Sequence, residues 1–432
     1  CKSKILKERK ENAMKIVYPK EIKNTREIEE IDVLELLARE GARQLLVYAL
    51  EKEVEEFLGR DRYERTENFR GYRNGYCKAR SIGIGYGNVK IKVPRVRDVP
   101  KEVSESGYES EIISSYQRSS KTVQKNLVKL YLEGLSSGDF EPVFRDVLGE
   151  TVGLSSSTIL KLKEDWQSEY DEWKRRSLSG EYYAYIWTDG VYIKAGLERE
   201  KTALLCVIGV KEDGTKELVS IGEGYRESTA SWLEVLRDLK KRGMKSPRLA
   251  IGDGALGFWS ALRDVYPECE EQRCWNHKVR NIMDKLPKYA QDKAKKRLRE
   301  IYKADTREQC YDWCRTYIEE LRKAHYNDAA DTLFNDLEQL TTFYNFPKIH
   351  WVHIRTTNPI ESVFSGVKLR TNVVKRFRKR ENGKYMVFKL IQRLSLNWLP
   401  VKGKDLLPLL KHGAKFVDGI MVQDMTNLKK AA

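Results

Sequence analysis

Three consecutive β-type runs constrain the fold of this chain more than any other feature. Each is rich in apolar and β-branched residues, and together they cover residues 182–195, 201–210 and 216–223. The sequence Glu212-Asp213-Gly214 between the last two runs predicts a tight hairpin turn. Four further elements are predicted to alternate after them: a helix over 228–242, a strand over 248–252, a helix over 256–266 and a short strand near 272–275.

This order of elements, three antiparallel strands and then alternating helices and strands, is that of a ribonuclease H-like core. The predicted fold class is therefore α/β, with a mixed five-stranded sheet. Residues 278–347 instead carry apolar positions at helical spacing throughout. We expect them to form an all-α insertion between the first part of the core, 179–277, and its last part, 348–398. A C-terminal tail over 399–432 follows.

The residues before the core are predicted to form a separate region. A charged arm over 1–30 precedes a helix and a basic β-unit within 31–110, and residues 111–178 are predicted to be helical. The helices expected in this last segment cover 122–132, 140–148 and 155–166, with a glycine-containing turn after the first. The pattern is typical of a helix-turn-helix motif that binds the DNA major groove, and also of three-helix bundles that bind no DNA.

The charge balance favours a polyanionic partner. Lys and Arg number 80 against 64 Asp and Glu, a net charge of +16, which points first to nucleic acid. Residues 60–80 mix basic and aromatic side chains, which suits phosphate contact with base stacking or, equally, a small β-unit whose tyrosines form its core. A second basic run covers 368–393. The side chains predicted to contact double-stranded DNA are Arg70, Arg73, Lys368, Arg370, Lys375, Arg376 and Arg378.

Cysteine usage and hydropathy bear on the compartment. The chain has seven cysteines in 432 residues, an odd and sparse set that favours a reducing environment over a disulfide framework. No stretch approaches eighteen consecutive apolar residues, and the N-terminal segment is charged. We therefore expect a cytoplasmic protein that acts on DNA.

Three acidic residues, Asp189, Asp253 and Glu361, are candidates for a metal site. Moving a phosphodiester needs an activated water or 3′-hydroxyl in line with the leaving oxygen, and two Mg²⁺ ions about 4 Å apart can stabilise both oxygens. A few carboxylates on rigid elements hold such a pair. An aspartate within the central strand, a second at the end of a neighbouring parallel strand and a glutamate on a facing helix satisfy this geometry.

Each acid also has a plainer interpretation to weigh. A turn explains Asp253, and a capping box with Asn358 as the cap explains Glu361. Asp189 is harder to explain in this way, because a carboxylate within a strand needs a partner or a metal ion to offset its burial. Both aspartates precede glycine, which leaves backbone room for a bulky substrate.

Four short segments occur in a fixed order along the chain. They are Thr188-Asp189-Gly190, Ile251-Gly252-Asp253-Gly254-Ala255, Cys274-Trp275-Asn276-His277-Lys278 and Arg355-Thr356-Thr357-Asn358-Pro359-Ile360-Glu361-Ser362. In this order and approximate spacing they resemble the Mutator-type transposases of bacterial and archaeal insertion sequences. Residues 63–97 are similar to the N-terminal part of the same family, so the resemblance covers most of the chain.

The resemblance implies a helical insertion before the glutamate and cut-and-join reactions at terminal inverted repeats. It places Asp189, Asp253 and Glu361 on the metal triad, with Cys274 and His277 on the Cys-x-x-His signature that supports the active site. We expect Mg²⁺ as the cofactor, with Mn²⁺ able to replace it, and a dimer or larger assembly that holds two DNA ends. The alternatives are a domesticated regulator that binds DNA without catalysis and a metal-dependent nuclease without a joining step.

Two further residue sets have alternative roles. Cys269, Cys274 and His277 are candidate zinc ligands, with a fourth ligand from Cys310, Cys314 or His325, although their spacing matches no common zinc finger. The competing hypothesis is that Cys274 and His277 brace the strand end beside the active site. Trp313 is a candidate for stacking on a flipped base, or else a core tryptophan.

Overall fold

The computed structural model describes residues 33–85, 87–133, 156–195, 201–224, 226–254, 256–374, 377 and 379–422. Contacts divide the chain into two compact units, Cys1–Leu160 and Lys161–Ala432. Each unit has a hydrophobic core of its own among the described residues. None of the described helices is both long enough and apolar enough to cross a lipid bilayer.

The first unit contains a long helix and two small antiparallel sheets. Helix α1 spans Val33–Leu58, and the strands are β1 (Tyr72–Tyr76), β2 (Arg80–Ile84), β3 (Gly87–Ile91) and β4 (Pro94–Arg97). Strand β1 pairs with β4, and β2 pairs with β3. Leu50 of α1 packs into a core with Ile82, Val89 and Ile91. A helix and small strands thus occupy the segment for which a helix and a basic β-unit were predicted.

The tyrosines of the basic segment do not form that core. Tyr63, Tyr72 and Tyr76 expose 92%, 51% and 43% of their surface. The interpretation that gave these rings a core role is therefore wrong, because the aliphatic side chains of β2 and β3 fill the core instead.

Of the three helices predicted for the helix-turn-helix region, the structure describes the first and the last. Helix α2 spans Lys121–Glu133, and helix α3 spans Ser156–Arg175. The predicted middle helix over 140–148 lies outside the described residues. Helix α3 continues well beyond its predicted end at residue 166, and its Tyr170 is buried and donates a hydrogen bond to the Ile221 carbonyl. The motif itself remains a prediction.

The second unit is built on a five-stranded mixed sheet. Its strands are β5 (Tyr185–Ile193), β6 (Thr202–Val210), β7 (Lys216–Gly224), β8 (Leu249–Gly252) and β9 (Glu270–Arg273), in the spatial order β7-β6-β5-β8-β9. Strands β5, β6 and β7 are antiparallel neighbours, whereas β8 runs parallel to both β5 and β9. The predicted mixed sheet is confirmed, and β5 is its central strand.

Two helices pack together against this sheet. Helix α4 spans Thr229–Lys241 and α5 spans Leu256–Val265, and Ser228 caps α4 by accepting a hydrogen bond from the Ser231 backbone N–H at 3.3 Å. Their tryptophan and phenylalanine side chains join the apolar residues of the strands in one core. Every residue of β6 is buried, which explains why its sequence is almost continuously apolar.

The remaining elements are mostly helical. Helices occupy the segment predicted as the all-α insertion: α6 (Trp275–Met283), α7 (Lys288–Ile301), α8 (Arg307–Lys323), α9 (Asn327–Phe334) and α10 (Leu337–Leu340), followed by 3-10 turns at Thr342–Asn345 and Lys348–His350 and by α11 (Trp351–Ile354). After it come α12 (Asn358–Val374), α13 (Arg380–Ser395), a 3-10 turn at Lys404–Leu406, α14 (Leu407–Lys411) and a hairpin of β10 (Lys415–Val417) and β11 (Ile420–Val422).

Buried hydrogen bonds fix the place where the chain returns from the insertion to the sheet. Gln272 on β9 is fully buried, donates to the Leu340 carbonyl at 3.0 Å and accepts from the Phe343 backbone N–H at 2.7 Å. Trp275 on α6 donates to the same carbonyl at 2.7 Å. The side chains at the end of β9 thus tie the end of the insertion to the sheet, close in sequence to the helix that carries Glu361.

Replacing Gln272 with methionine tests this tie. The variant leaves the buried Phe343 N–H without its acceptor, so we expect Gln272→Met to lower the free energy of unfolding by about 1–3 kcal/mol. Half-buried Gln339 of α10 makes no side-chain hydrogen bond to the described residues, and Gln339→Met should change stability by less than about 0.5 kcal/mol. Urea unfolding of both variants measures these free energies. An equal loss of stability in the two variants would contradict the role given to Gln272.

Candidate active site

The register of the two central parallel strands brings Asp189 and Asp253 to the same level. The last paired residues of β5 and β8 are Trp187 and Ile251. Asp189 and Asp253 each follow two residues later along strands that run in the same direction, so they lie side by side at the carboxyl edge of the sheet. The Trp259 indole N–H donates to the Asp253 carbonyl at 2.8 Å and fixes the backbone there.

Asp189 is the most perturbed carboxyl group of the site. Burial, the largest cause, and the charges of Asp253, Glu227 and Glu361 together raise its pKa to about 7. The hydrogen bond that Asp189 Oδ1 accepts from the Gly190 N–H, at 2.8 Å, acts in the opposite direction. The charges of Asp253, Glu227 and Glu361 all act on the Asp189 carboxylate. The three predicted acids therefore lie in one cluster, which also contains a fourth acid.

The fourth acid, Glu227, was not singled out from the sequence. It lies between β7 and the Ser228 cap of α4, and its side chain is hydrogen-bonded to Tyr192 of β5. A Cβ atom on Gly190 would overlap the Glu227 carboxylate. The room that Gly190 leaves is therefore filled by Glu227 and not by substrate. No local sequence signal distinguishes Glu227 from an ordinary residue before a helix cap.

Glu361 lies in the first turn of α12, and its backbone N–H donates to the Thr357 carbonyl at 3.0 Å. Asn358 is already helical, and its side-chain oxygen accepts a hydrogen bond from Asn276 at 2.6 Å. Asn358 is thus not the cap that the capping-box alternative assumed. The Glu361 carboxylate instead accepts a hydrogen bond from the Thr357 hydroxyl at 2.5 Å.

Cys274 and His277 lie against the same turn. One potential ligand atom from each of Cys274, His277 and Glu361 lies within 4.8 Å of the other two. Cys274 Sγ accepts from the Thr357 backbone N–H at 3.2 Å, and burial raises the pKa of the Cys274 thiol. The Cys274 backbone N–H donates to the Gly252 carbonyl at 2.8 Å, so the pair connects the end of β8 to the helix of Glu361.

The predicted zinc set is not brought together. Cys310 and Cys314 are buried in α8 and interact with each other, and Cys269 Sγ lies 3.5 Å from the Glu270 carbonyl. Among the described residues, the group of potential metal ligands with a cysteine is that of Cys274, His277 and Glu361, without these three cysteines or His325. The predicted set thus keeps Cys274 and His277 together but not Cys269 or the proposed fourth ligands, and the support role of Cys274 and His277 stays a prediction. Trp313 is half-buried beside Cys310 and Cys314 in the sequence of α8.

The basic residues predicted to contact DNA differ in exposure. On α12, Lys368 is exposed, but Arg370 exposes only 4% of its surface. Arg370 continues the buried helical stripe of Ile360 and Val367, so its guanidinium is not offered to a duplex and this residue is a correction to the prediction. Lys375, Arg376 and Arg378 lie outside the described residues.

In the first unit, Arg70 is exposed, whereas Arg73 is engaged in ion pairs. Arg73 Nη1 lies 2.7 Å from Glu51, and its Nη2 lies 3.5 Å from Glu55. Arg70 is therefore the better placed of the two for contact with a phosphate.

Comparison with known proteins identifies the family. A sequence profile described as "Transposase, Mutator family" matches residues 16–400. The chain is 45% identical over 299 residues to the transposase for insertion sequence element IS6120 of Mycolicibacterium smegmatis, and the aligned region covers 69% of this chain and 92% of that protein. It is 42% identical over 272 residues to the transposase for element IST2 of Acidithiobacillus ferrooxidans (63% and 92%). It is 27% identical over 356 residues to the transposase for IS256 in transposon Tn4001 of Staphylococcus aureus (81% and 88%).

The profile match extends over most of the chain, through the small sheets of the first unit and the mixed sheet of the second. The chain therefore belongs to the Mutator family of transposases.

The raised pKa of Asp189 predicts a pH-dependent stability. Below about pH 7 the folded protein keeps a proton on Asp189 that the unfolded chain loses near pH 4, so the free energy of unfolding falls as pH rises from about 4 to about 7. Asp189→Asn removes this cost. At pH 8 and without metal, the variant should be more stable than the wild type by on the order of 2 kcal/mol, and the difference should vanish near pH 4.

Urea unfolding in the presence of a chelator measures this difference. Asp264→Asn, a change in an exposed ion pair with Arg237, serves as the control and should show no such pH dependence. If Asp189→Asn is less stable than the wild type at pH 8, then burial of the Asp189 carboxylate does not lower the free energy of unfolding.

Proposed function

We propose that this protein is a DNA transposase that cuts and joins DNA with divalent metal ions held by Asp189, Asp253 and Glu361. The observation that carries the proposal is the meeting of these acids, with Glu227, at the carboxyl edge of the mixed sheet. Mutual repulsion of several half-buried carboxylates requires compensation by cations, and carboxylate oxygens are the ligands that Mg²⁺ prefers. The donors thus fit Mg²⁺, with Mn²⁺ as a substitute.

The sheet supports a ribonuclease H-like assignment. Three antiparallel strands followed by two parallel ones, in the order β7-β6-β5-β8-β9, match the order expected from the sequence. The helical block of α6 to α10 precedes the helix of Glu361, as expected of an insertion within such a core. In this fold the carboxyl ends of the central strands are where acids converge, which fits the position of Asp189 and Asp253.

Residues of this chain position the carboxylates that would hold the metal ions. The ions, when bound, activate the attacking water or 3′-hydroxyl and stabilise the leaving 3′-oxygen. Asp189 and Asp253 hold their carboxylates on two paired strands, which move little relative to each other. Glu361 approaches from α12, whose first turn is fixed to the end of β8 through Cys274 and Thr357. DNA ends would lie along exposed basic side chains, of which Lys368 on the helix of Glu361 is one.

Two other functions compete with this proposal. A regulator that only binds DNA has no use for several repelling carboxylates in one half-buried cluster, so the cluster argues against it. A nuclease would share the cutting step but would not join ends. Transposition further implies a dimer or larger assembly, because two transposon ends must be held together, and a place of action on cellular DNA.

Carboxylate replacements test the proposed chemistry. Asp189→Asn and Asp253→Asn should each abolish strand cleavage and joining of a duplex that carries the inverted repeats flanking the gene, with end binding largely intact. Asp264→Asn, on the exposed face of α5, is the matched control and should cleave as the wild type does. Cleavage at the wild-type rate by either site variant would refute the triad, and cleavage without joining by the wild type would favour the nuclease.

Charge neutralisation tests the basic residues that follow Glu361 in the sequence and are predicted to contact DNA. Lys368→Gln, Arg376→Gln and Arg378→Gln should weaken binding to all sequences and reduce the slope of log affinity against log salt by about 0.9 for each lost phosphate contact. Lys411→Gln, whose ammonium already pairs with Glu212 at 2.7 Å, is the control and should leave the slope unchanged. Binding that stays constant at low salt would make this segment a solvated surface.

A further inference from the structure

Thr357 lies at the centre of the contacts around Glu361. Its side chain is fully buried, and its Oγ1 atom lies 2.5 Å from Glu361 Oε1, 3.1 Å from Cys274 Sγ and 3.3 Å from His277 Nδ1. His277 Nδ1 is farther from Glu361 Oε1, at 3.6 Å. The hydroxyl thus contacts Cys274, His277 and the carboxylate at once, and it is closer to Glu361 Oε1 than His277 Nδ1 is.

The hydrogen-bonding capacity of a hydroxyl matches these three neighbours. A threonine hydroxyl has one proton to donate and two lone pairs that accept. A carboxylate only accepts, so the proton belongs to the 2.5 Å contact with Glu361. The lone pairs are then available to the Cys274 thiol and the His277 ring N–H, each of which has a hydrogen to donate. Every group in the set obtains a partner in this arrangement.

We propose that Thr357 is a positioning residue. Its hydroxyl contacts the fixed Cys274–His277 pair and holds the Glu361 carboxylate in a single preferred orientation. With Oε1 held by the Thr357 hydroxyl, Oε2 remains available for a metal ion shared with Asp189 and Asp253. The proposal rests on the metal site of the proposed function. It assigns to the Cys-x-x-His pair the role of holding the threonine hydroxyl, which both side chains contact.

The neighbouring residue shows that local folding does not demand this network. Thr356 is also buried, with 5% of its surface exposed, and its hydroxyl has no hydrogen-bond partner among the described residues. The two threonines lie in the same turn before α12. Their difference is the contact with Glu361, so Thr356 provides a matched control for the loss of a buried hydroxyl.

The test measures Mn²⁺ binding by the full-length protein through the electron paramagnetic resonance signal of free Mn²⁺, without DNA. Thr357→Val keeps the shape of the side chain but removes the hydroxyl, and we expect it to weaken binding about 10–100-fold. Thr357→Ser keeps the hydroxyl and should bind almost as the wild type does. Thr356→Val should be unchanged. The Mn²⁺ concentration that gives half-maximal cleavage should shift in the same way across the three variants.

The outcomes separate this inference from the proposed function. If Thr357→Val binds Mn²⁺ as the wild type does while Glu361→Gln loses binding, the metal site stands and the positioning role is wrong. A Thr357→Ser variant as weak as Thr357→Val also overturns the role, because the hydroxyl would not be the cause. If Glu361→Gln itself binds as the wild type does, the proposed metal site is what fails.

A second pair of variants covers a failure of Thr357→Val to fold. Cys274→Ala removes the sulfur that is hydrogen-bonded to the Thr357 hydroxyl, and Cys274→Ser supplies a hydroxyl at the same position. We expect Cys274→Ala to weaken Mn²⁺ binding in the same direction and Cys274→Ser to restore most of it. Equal affinity of Cys274→Ala and the wild type would overturn the role of this network.

Discussion

Burial of the Asp189 carboxylate beside three other carboxylates is the interaction on which the second unit depends. The parallel pairing of β5 and β8 brings Asp189 and Asp253 to one level, and burial, with the charges of the neighbouring acids, raises the pKa of Asp189. Such an arrangement costs stability in the absence of a cation. A protein whose only task was to fold would gain nothing from it, and this cost is what the proposed metal site explains.

Much of the surrounding structure serves to hold this cluster together. Gly190 leaves space that the Glu227 carboxylate fills, and Trp259 fixes the backbone of Asp253. Gln272 and Trp275 tie the end of the helical insertion to the sheet, so the chain returns close to the strands before α12 begins. The Cys274 backbone then anchors the end of β8, and Thr357 links that anchor to Glu361.

The sequence predicted the mixed sheet from local pattern, whereas it offered the three acids as one site only through their order along the chain and the family resemblance. Alternating apolar runs predicted the strands, and the place of Asp189 within one of them already required a partner. Glu227 could not be found in this way, since only the tertiary gap at Gly190 brings it to the site. The density of basic residues near Arg370 suggested DNA contact, but helical periodicity places this side chain with Val367 on the buried face. The proposed zinc ligands shared sequence proximity only, and the fold places Cys269 and Cys310 elsewhere.

The position of a bound Mn²⁺ ion, located by its anomalous X-ray scattering in crystals of the full-length protein, tests the central claim most directly. The account predicts density between the carboxylates of Asp189 and Asp253, with metal to oxygen distances of about 2.1 Å. A Glu361 oxygen should complete the protein ligands. Mn²⁺ bound instead by Cys274 and His277 without contact to Asp189, or no ion at this edge of the sheet at saturating Mn²⁺, would contradict it.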